Sequence, residues 1–144
     1  MQLPTELSKF WTSGEDTPAL IELSKVVDRS SGIAIPQLVK KRWGGELIYK
    51  NDQYCMKMLF INPGKQTSMH FHVQKEETLL VVSGVLTVQF ITRDGTPGKA
   101  VLQPGEALTV APGFPHQLIA LNSQVILVEA STFDHATDSV RVGM

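Results

Sequence analysis

Two histidines and a glutamate, His70, His72 and Glu77, stand within one short stretch and carry side chains that bind metal ions. His70 and His72 are separated by one residue, so on a β-strand both side chains project from the same face. The largely polar residues 73–76 would turn the chain, and Glu77 begins a second apolar run that ends at Gly84. If the two strands pair in antiparallel fashion, Glu77 reaches both imidazoles. This mixture of ligands suits zinc, manganese or ferrous iron.

His116, in a second segment, supplies a further candidate ligand. It follows an APGFP turn, in which Pro112 and Pro115 stiffen the backbone and fix how the histidine enters the next strand. Three imidazoles and one carboxylate would leave room on the metal for water or substrate, which is what a catalytic metal needs. Without this second segment, a His-x-His pair on a strand is equally consistent with a surface or core position.

The elements that must position these residues are short strands. From Ile33 onward, apolar runs alternate with turn signals such as Pro63-Gly64 and Asp94-Gly95. Short strands with turn signals about every 8–12 residues are typical of an all-β sandwich or barrel. The predicted strands contain ELIY, CMKMLFI, SMHFH, TLLVV, LTVQFI, KAVL, ALTV, HQLIAL and VILVEA.

Residues 1–32 have a different pattern and are predicted to form a short helical N-terminal arm, with residues 33–144 as a single barrel domain. Thr17 followed by Pro18 is the favoured order for a helix N-cap and first helical residue. The arm contains no set of residues that could do chemistry together. We therefore interpret it as a packing or dimer-contact element.

Composition narrows the function classes. A chain of 144 residues with a formal net charge of −1 indicates one ordinary domain and does not favour a nucleic-acid partner. No apolar run approaches the roughly 20 residues that span a bilayer, and the first residues lack the features of a signal peptide. The single cysteine, Cys55, excludes an internal disulfide. We expect a cytoplasmic protein without nucleic-acid or membrane partners.

Both candidate segments have a recognisable internal spacing. The key positions are Gly64, His70, His72, Glu77 and Gly84 in the first segment and Gly105, Pro112, Gly113 and His116 in the second. These spacings resemble the two sequence motifs of the cupin family. The second motif departs at Ala111 and Ala120, where the family has proline and asparagine, but the position of His116 is intact.

The cupin resemblance implies a double-stranded β-helix, or jelly-roll barrel, with a metal ion bound inside it. The implied ion is one divalent metal, Zn, Mn, Fe, Ni or Co, and small cupins of this type commonly form a homodimer. Apolar strands that would otherwise expose sheet edges agree with pairing of two copies. The implied metal ligands are His70, His72, Glu77 and His116.

A wider set of short motifs extends from Arg42 to Arg141. They are Arg42-Trp43-Gly44, Tyr54-Cys55-x-Lys57, Ser68-x-His70-x-His72, Lys75-x-Glu77, Glu129-x-Ser131-Thr132 and Asp138-x-x-Arg141. Together they resemble the small mannose-6-phosphate isomerase-type cupins. The resemblance implies aldose–ketose isomerisation of a sugar phosphate, in sugar or sugar-nucleotide metabolism.

Such an isomerase needs a base near C2 of the sugar, and Lys57 and Glu129 are the catalytic candidates. Strand alternation groups each of them with apolar neighbours on one face. If Lys57 points into the barrel, burial would lower its pKa; otherwise it is an edge lysine in solvent. Glu129 is likewise either an inward carboxylate or a strand-end glutamate in solvent.

Substrate contacts are expected from Gln66, Lys75 and Arg141. The planar guanidinium of Arg141 suits a phosphate, with Lys75 as a second cation, and Gln66 would bond a sugar hydroxyl near the metal. His135, in a polar segment, is interpreted as a surface histidine. Trp43 is interpreted as a packing or dimer residue.

Three function classes remain open. The first is a metal-dependent sugar-phosphate isomerase or epimerase, which the wider resemblance favours. The second is a ferrous cupin dioxygenase, because three histidines and a glutamate also serve oxygen chemistry. The third is a non-catalytic sugar or small-molecule binder, which gains weight because the chain has no obvious cluster of basic residues for a phosphate.

Overall fold

The structure is a computed structural model that describes residues 32–143. The predicted helical arm, residues 1–32, lies outside the described residues except for Gly32, so the arm stays a prediction. The regular secondary structure of the described residues consists of β-strands. No helix in this part of the chain is long and apolar enough to cross a membrane. The strands are β1 (Gln37–Lys41), β2 (Gly44–Asn51), β3 (Cys55–Ile61), β4 (His70–His72), β5 (Glu77–Ser83), β6 (Leu86–Ile91), β7 (Pro97–Leu102), β8 (Ala107–Val110), β9 (His116–Ile119), β10 (Val125–Ser131) and β11 (Ser139–Arg141).

The strands build two antiparallel sheets. One has six strands in the order β1-β2-β3-β10-β5-β8, and the other has five in the order β11-β4-β9-β6-β7. Several neighbours are far apart in the sequence, since β10 lies between β3 and β5 and β9 lies between β4 and β6. The architecture is the all-β jelly roll that the sequence predicts, and each predicted strand is present.

The sheets pack face to face because their strands alternate buried and outward residues. On β5, Glu77, Leu79 and Val81 are buried, whereas Leu80 and Val82 point away from the barrel. The inward leucines and valines form one continuous core between the sheets. Burying each such side chain stabilises the fold by roughly 1.5–3 kcal/mol.

Gly84, which closes the first motif, is required by the backbone. Its φ of 80° lies in the left-handed region, and a Cβ atom there would collide with the carbonyl oxygen of Gln124. Any other residue would be strained on both counts. The glycine therefore lets the chain leave β5 close beside the start of β10.

Strands β1 and β11 were not predicted. Strand β11 has three exposed residues and no apolar alternation, so nothing in its own sequence indicates a strand. It forms because β4 offers it an edge, with Ser139 opposite His72 and Arg141 opposite His70. The C-terminal segment thus supports the strand that carries the His-x-His pair.

Candidate metal centre

Three histidines from two neighbouring strands meet inside the barrel. His70 and His72 lie on β4, His116 begins β9, and His70 is opposite His116 in the register of the two strands. The ligand nitrogens of the three rings lie within 4.8 Å of one another. His72 and His116 are buried and His70 is half-buried. The same-face prediction for His70 and His72, and the placement of His116 beside them, are confirmed.

Backbone carbonyl groups fix the proton on two of the rings. Nδ1 of His70 lies 2.8 Å from the carbonyl oxygen of Ser68, and Nδ1 of His116 lies 2.9 Å from that of Phe114. A carbonyl oxygen only accepts, so each Nδ1 carries the hydrogen. The remaining nitrogen, Nε2, then has a lone pair for a metal, which is the arrangement that metal-binding histidines generally show.

Glu77 completes the donor set from the start of β5. Its Oε1 lies 2.7 Å from Nε2 of His116 and 3.9 Å from Nε2 of His72. Because Nδ1 of His116 already donates to a carbonyl, Nε2 and the carboxylate would be two acceptors facing each other. A metal cation bound by both groups would remove this conflict, so the donor set fits a metal.

Burial and nearby charges keep His70, His72 and Glu77 in the protonation states that a metal needs. It lowers the pKa of His70, and together with the nearby Lys75 ammonium it lowers the pKa of His72 to about 4. For Glu77, burial alone would raise the pKa, but the close contact with His116 and the charge of Lys75 outweigh burial and lower it. The rings of His70 and His72 are therefore neutral at neutral pH, and the Glu77 carboxylate is ionised.

Two buried lysines and four carboxylates form a charged network beside the histidines. The Lys57 ammonium lies 2.9 Å from Asp134, 3.3 Å from Glu46 and 3.8 Å from Glu129. The Lys75 ammonium lies 3.2 Å from both Glu77 and Glu129 and 3.3 Å from Asp134. With four carboxylates against two ammonium groups, the ionised network carries excess negative charge, which a divalent cation would offset.

The net pKa shift of Lys57 is opposite to the lowering expected from burial. Lys57 does point inward and is buried, and burial alone would lower its pKa. The charges of Glu129, Glu46 and Asp134 outweigh burial and raise the pKa instead. Lys57 therefore stays a cation at neutral pH, and its ammonium group has no lone pair to accept a proton.

Glu129 has the opposite behaviour. It is 2% exposed, and burial together with the charge of Glu77 raises its pKa to about 7. Its Oε2 accepts hydrogen bonds from Lys75 at 3.2 Å and from Ser131 at 3.1 Å. The inward interpretation of Glu129 is correct, and its carboxyl group can exchange a proton near neutral pH.

A cavity of about 510 Å³ joins the histidines to the network. Its other lining residues include Trp43, Lys41, His135 and Arg141. Arg141 lies opposite His70 in the pairing of β11 with β4, and its side chain is exposed. The cavity thus has a buried polar wall and cationic residues in more exposed positions.

A sequence model of one family covers most of the barrel. The model, described as Cupin, matches residues 51–143. The chain belongs to the cupin family. Among curated proteins, no sequence matches this cupin significantly.

Solved structures with the same fold differ widely in their names. The capsular polysaccharide assembling protein CapF from Staphylococcus aureus has a TM-score of 0.67 at 16% identity, with 76% of this cupin and 34% of CapF covered. Oxalate decarboxylase from Bacillus subtilis has a TM-score of 0.67 at 13% identity, covering 74% and 30%. A recombinant oxalate oxidase in complex with glycolate has a TM-score of 0.55 at 18% identity, covering 62% and 46%. This cupin spans less than half of each of these chains, and the likeness shows the fold alone.

The remaining predicted site residues have different outcomes. Lys75 is buried within the charged network of the cupin barrel, and Arg141 lines the cavity. Gln66 is exposed and is not part of the cavity lining, so the structure does not bring it to the histidines. His135 is exposed, as interpreted, yet it also lines the cavity, as does Trp43, which packs against the core.

Sequence reasoning missed three acidic residues of this cupin site. Glu46 contacts Lys57, Asp134 contacts both buried lysines, and Asp138 lies behind His72. Alternation along β2 could have placed Glu46 on the inner face. Asp134 precedes β11 in an irregular segment, where no periodicity indicates a direction. Asp138 belongs to the Asp138-x-x-Arg141 motif of the wider resemblance, but the sequence does not indicate which residue it contacts.

Proposed function

We propose that this cupin is a metal-dependent enzyme that isomerises or epimerises a sugar phosphate by moving a proton between adjacent carbons. The supporting observation is the buried Glu129 carboxylate, which lines the same cavity as the histidines. It shares the Lys75 ammonium with Glu77. A base beside a metal site, with a pKa raised to about 7, suits proton abstraction next to a carbonyl group.

The proposed cofactor is one divalent metal ion, with zinc, manganese, iron, nickel and cobalt as candidates. When bound, it would polarise the carbonyl group of the substrate. The proposed ligands are His70, His72, Glu77 and His116.

The other residues of the cavity have proposed roles that follow from their charge. Glu129 removes the proton from C2 and returns it to C1. Lys57 and Lys75 remain protonated, so they stabilise the negative charge that develops on the substrate oxygens. Arg141, in a more exposed part of the cavity, binds the phosphate.

A second candidate function is non-catalytic binding of a neutral sugar. The observation that favours it is that Lys57 and Lys75 are already paired with carboxylates. Among the cavity cations, Lys41 and Arg141 are then the ones offered to a phosphate. A neutral sugar would not need a free cation in the cavity.

Exchange of carbon-bound hydrogen tests the proposal. Metal-loaded protein is incubated with aldose and ketose phosphates in heavy water, and deuterium at C2 is measured by NMR. We expect the exchange rate of Glu129→Gln to be about 10²–10⁴-fold lower than that of wild type. Glu76→Gln, which alters an exposed carboxylate nearby, is the matched control and should exchange like wild type. Metal analysis of both variants should give wild-type content.

Other outcomes point elsewhere. Exchange that is unchanged in Glu129→Gln would show that another group is the base. Oxygen consumption without exchange would identify a dioxygenase. No turnover, combined with a thermal shift on adding a sugar, would support the binding function.

We also propose that the protein acts as a cytoplasmic homodimer on this small molecule, without nucleic-acid or membrane partners. The net charge of −1 and the single, buried and unpaired Cys55 support a protein of a reducing compartment that does not bind polyanions.

A further inference from the structure

His72 differs from the other two histidines in how its second ring nitrogen is held. Nδ1 of His70 and of His116 each faces a backbone carbonyl, whereas Nδ1 of His72 is buried and has no hydrogen-bond partner among the described residues. A buried polar atom without a partner costs about 1–3 kcal/mol. Such an atom needs an explanation, and the metal site offers one.

Asp138 lies on the far side of this ring from the metal site. Its Oδ2 is 4.0 Å from Nδ1 of His72, while Nε2 of the same ring is 3.9 Å from Oε1 of Glu77. The imidazole therefore stands between two carboxylates, one in the proposed metal site and one behind it. Asp138 is 6% exposed, so water competes little for its oxygens.

The backbone holds the Asp138 carboxylate in place. The N–H of Gln74 donates to Oδ1 at 2.9 Å, and the N–H of Lys75 donates to Oδ2 at 3.0 Å. The next residue, Ser139, begins β11 directly opposite His72, and the N–H of Val73 donates to the Asp138 carbonyl oxygen at 3.1 Å. Each carboxylate oxygen has a second lone pair, so Oδ2 still has a place for one more donor.

We propose that Asp138 is a positioning residue for His72, accepting a hydrogen bond from Nδ1–H when Nε2 binds the metal. The bond fixes the Nδ1–H tautomer, orients the ring and makes Nε2 a better donor, as a carboxylate behind a metal-bound histidine does. A small shift of the ring toward the fixed carboxylate closes the gap of 4.0 Å. The inference rests on the proposed metal site and is independent of the proposed reaction.

Zinc affinity tests the inference. Zn²⁺ is titrated into metal-free full-length protein in competition with a coloured chelator. In Asp138→Asn, the side-chain N–H₂ group would face other N–H donors and could not accept the bond from Nδ1–H of His72. We therefore expect zinc to bind about tenfold to a hundredfold more weakly. Asp94→Asn is the matched control, because Asp94 also accepts a backbone N–H bond, from Thr96, far from the site. It should bind zinc like wild type.

Thermal unfolding separates positioning from a structural role. A positioning role predicts that the rise in Tm on adding zinc is smaller in Asp138→Asn than in wild type. If Tm falls equally with and without zinc while affinity is unchanged, Asp138 only supports the turn and the inference is wrong. His72→Ala is included because wild-type affinity in that variant would overturn the metal site itself.

NMR of the wild-type protein keeps the test independent of how the variants fold. In zinc-loaded protein with ¹⁵N-labelled histidine, we expect a protonated Nδ1 on His72, with its proton shifted downfield by the Asp138 carboxylate. Metal bound through Nδ1, with the proton on Nε2, would overturn the inference.

Discussion

The Lys57 ammonium donates a hydrogen bond of 2.9 Å to the carboxylate of Asp134, a residue 77 positions further along the chain. Asp134 also contacts the Lys75 ammonium at 3.3 Å. Two buried lysines, one on β3 and one before β5, thereby hold the segment that follows β10 against the cavity. The same contacts keep both lysines charged.

Replacing Lys57 tests how much this network contributes. Lys57→Met would leave Glu46, Glu129 and Asp134 with one compensating cation fewer, and breaking a buried pair on one side costs about 3–5 kcal/mol. We expect a loss of that order in the free energy of unfolding, measured by urea denaturation. Lys50→Met is the control, because the Lys50–Asp52 pair is exposed and should contribute little. Equal effects of the two substitutions would contradict the network.

Metal content tests the ligand set. His72→Ala removes a buried donor and should remove most of the bound metal, measured by mass spectrometry of protein purified without added metal. His135→Ala is the control, since His135 lines the cavity but lies outside the histidine cluster. If the metal content of His72→Ala equals that of wild type, His72 is not a metal ligand.

The stability of metal-free protein should carry a signature of His72 as pH falls. Burial and Lys75 lower its folded pKa to about 4, whereas an unfolded histidine titrates near 6.5. Between these values the unfolded chain binds the proton, so the stability that neutral His72 contributes above pH about 6.5 is lost as pH falls toward 4. Relative to His72→Gln, wild type should lose about 2–3 kcal/mol across this window. If the free energies of unfolding of wild type and His72→Gln differ by the same amount at every pH in this window, the lowered pKa of His72 is contradicted.

Glu129 should show the opposite sign. Burial and the charge of Glu77 raise its folded pKa to about 7, above the value of about 4.3 for an unfolded glutamate. The protonated carboxyl contributes stability below the unfolded pKa, and that contribution is lost as pH rises through about 7. In metal-free protein, Glu129→Gln should therefore gain stability relative to wild type with rising pH. If the free energy of unfolding of Glu129→Gln instead falls relative to that of wild type over this range, the pKa of Glu129 is not raised.

The homodimer stays a prediction, and the outer face of the six-stranded sheet is where we expect the second copy. Leu80 and Val82 are exposed on β5, and Met56 is exposed on β3 of the same sheet. Large exposed apolar faces mark interaction sites. We expect light scattering to give a dimer that Leu80→Glu weakens. Val101→Glu, at an exposed position on β7 of the other sheet, should not weaken it. A wild-type monomer at micromolar concentration would refute the prediction.

The spacing of His70 and His72 and the stiff turn before His116 are local features, so the histidine cluster could be predicted from the sequence. Strand parity depends only on the backbone, which is why one intervening residue sufficed to put two imidazoles on one face. The same parity indicated inward positions for Lys57 and Glu129 without deciding them.

The charge states of that site depended on residues that local patterns do not connect. Lys57 is a cation because Glu46, Glu129 and Asp134 reach it from three other parts of the chain, and their charges outweigh burial. Strand β11 exists because β4 offers an edge, and it brings Asp138 behind His72. Electrostatic energies depend on distances between side chains in space, so only the tertiary structure decided which of these groups holds a proton.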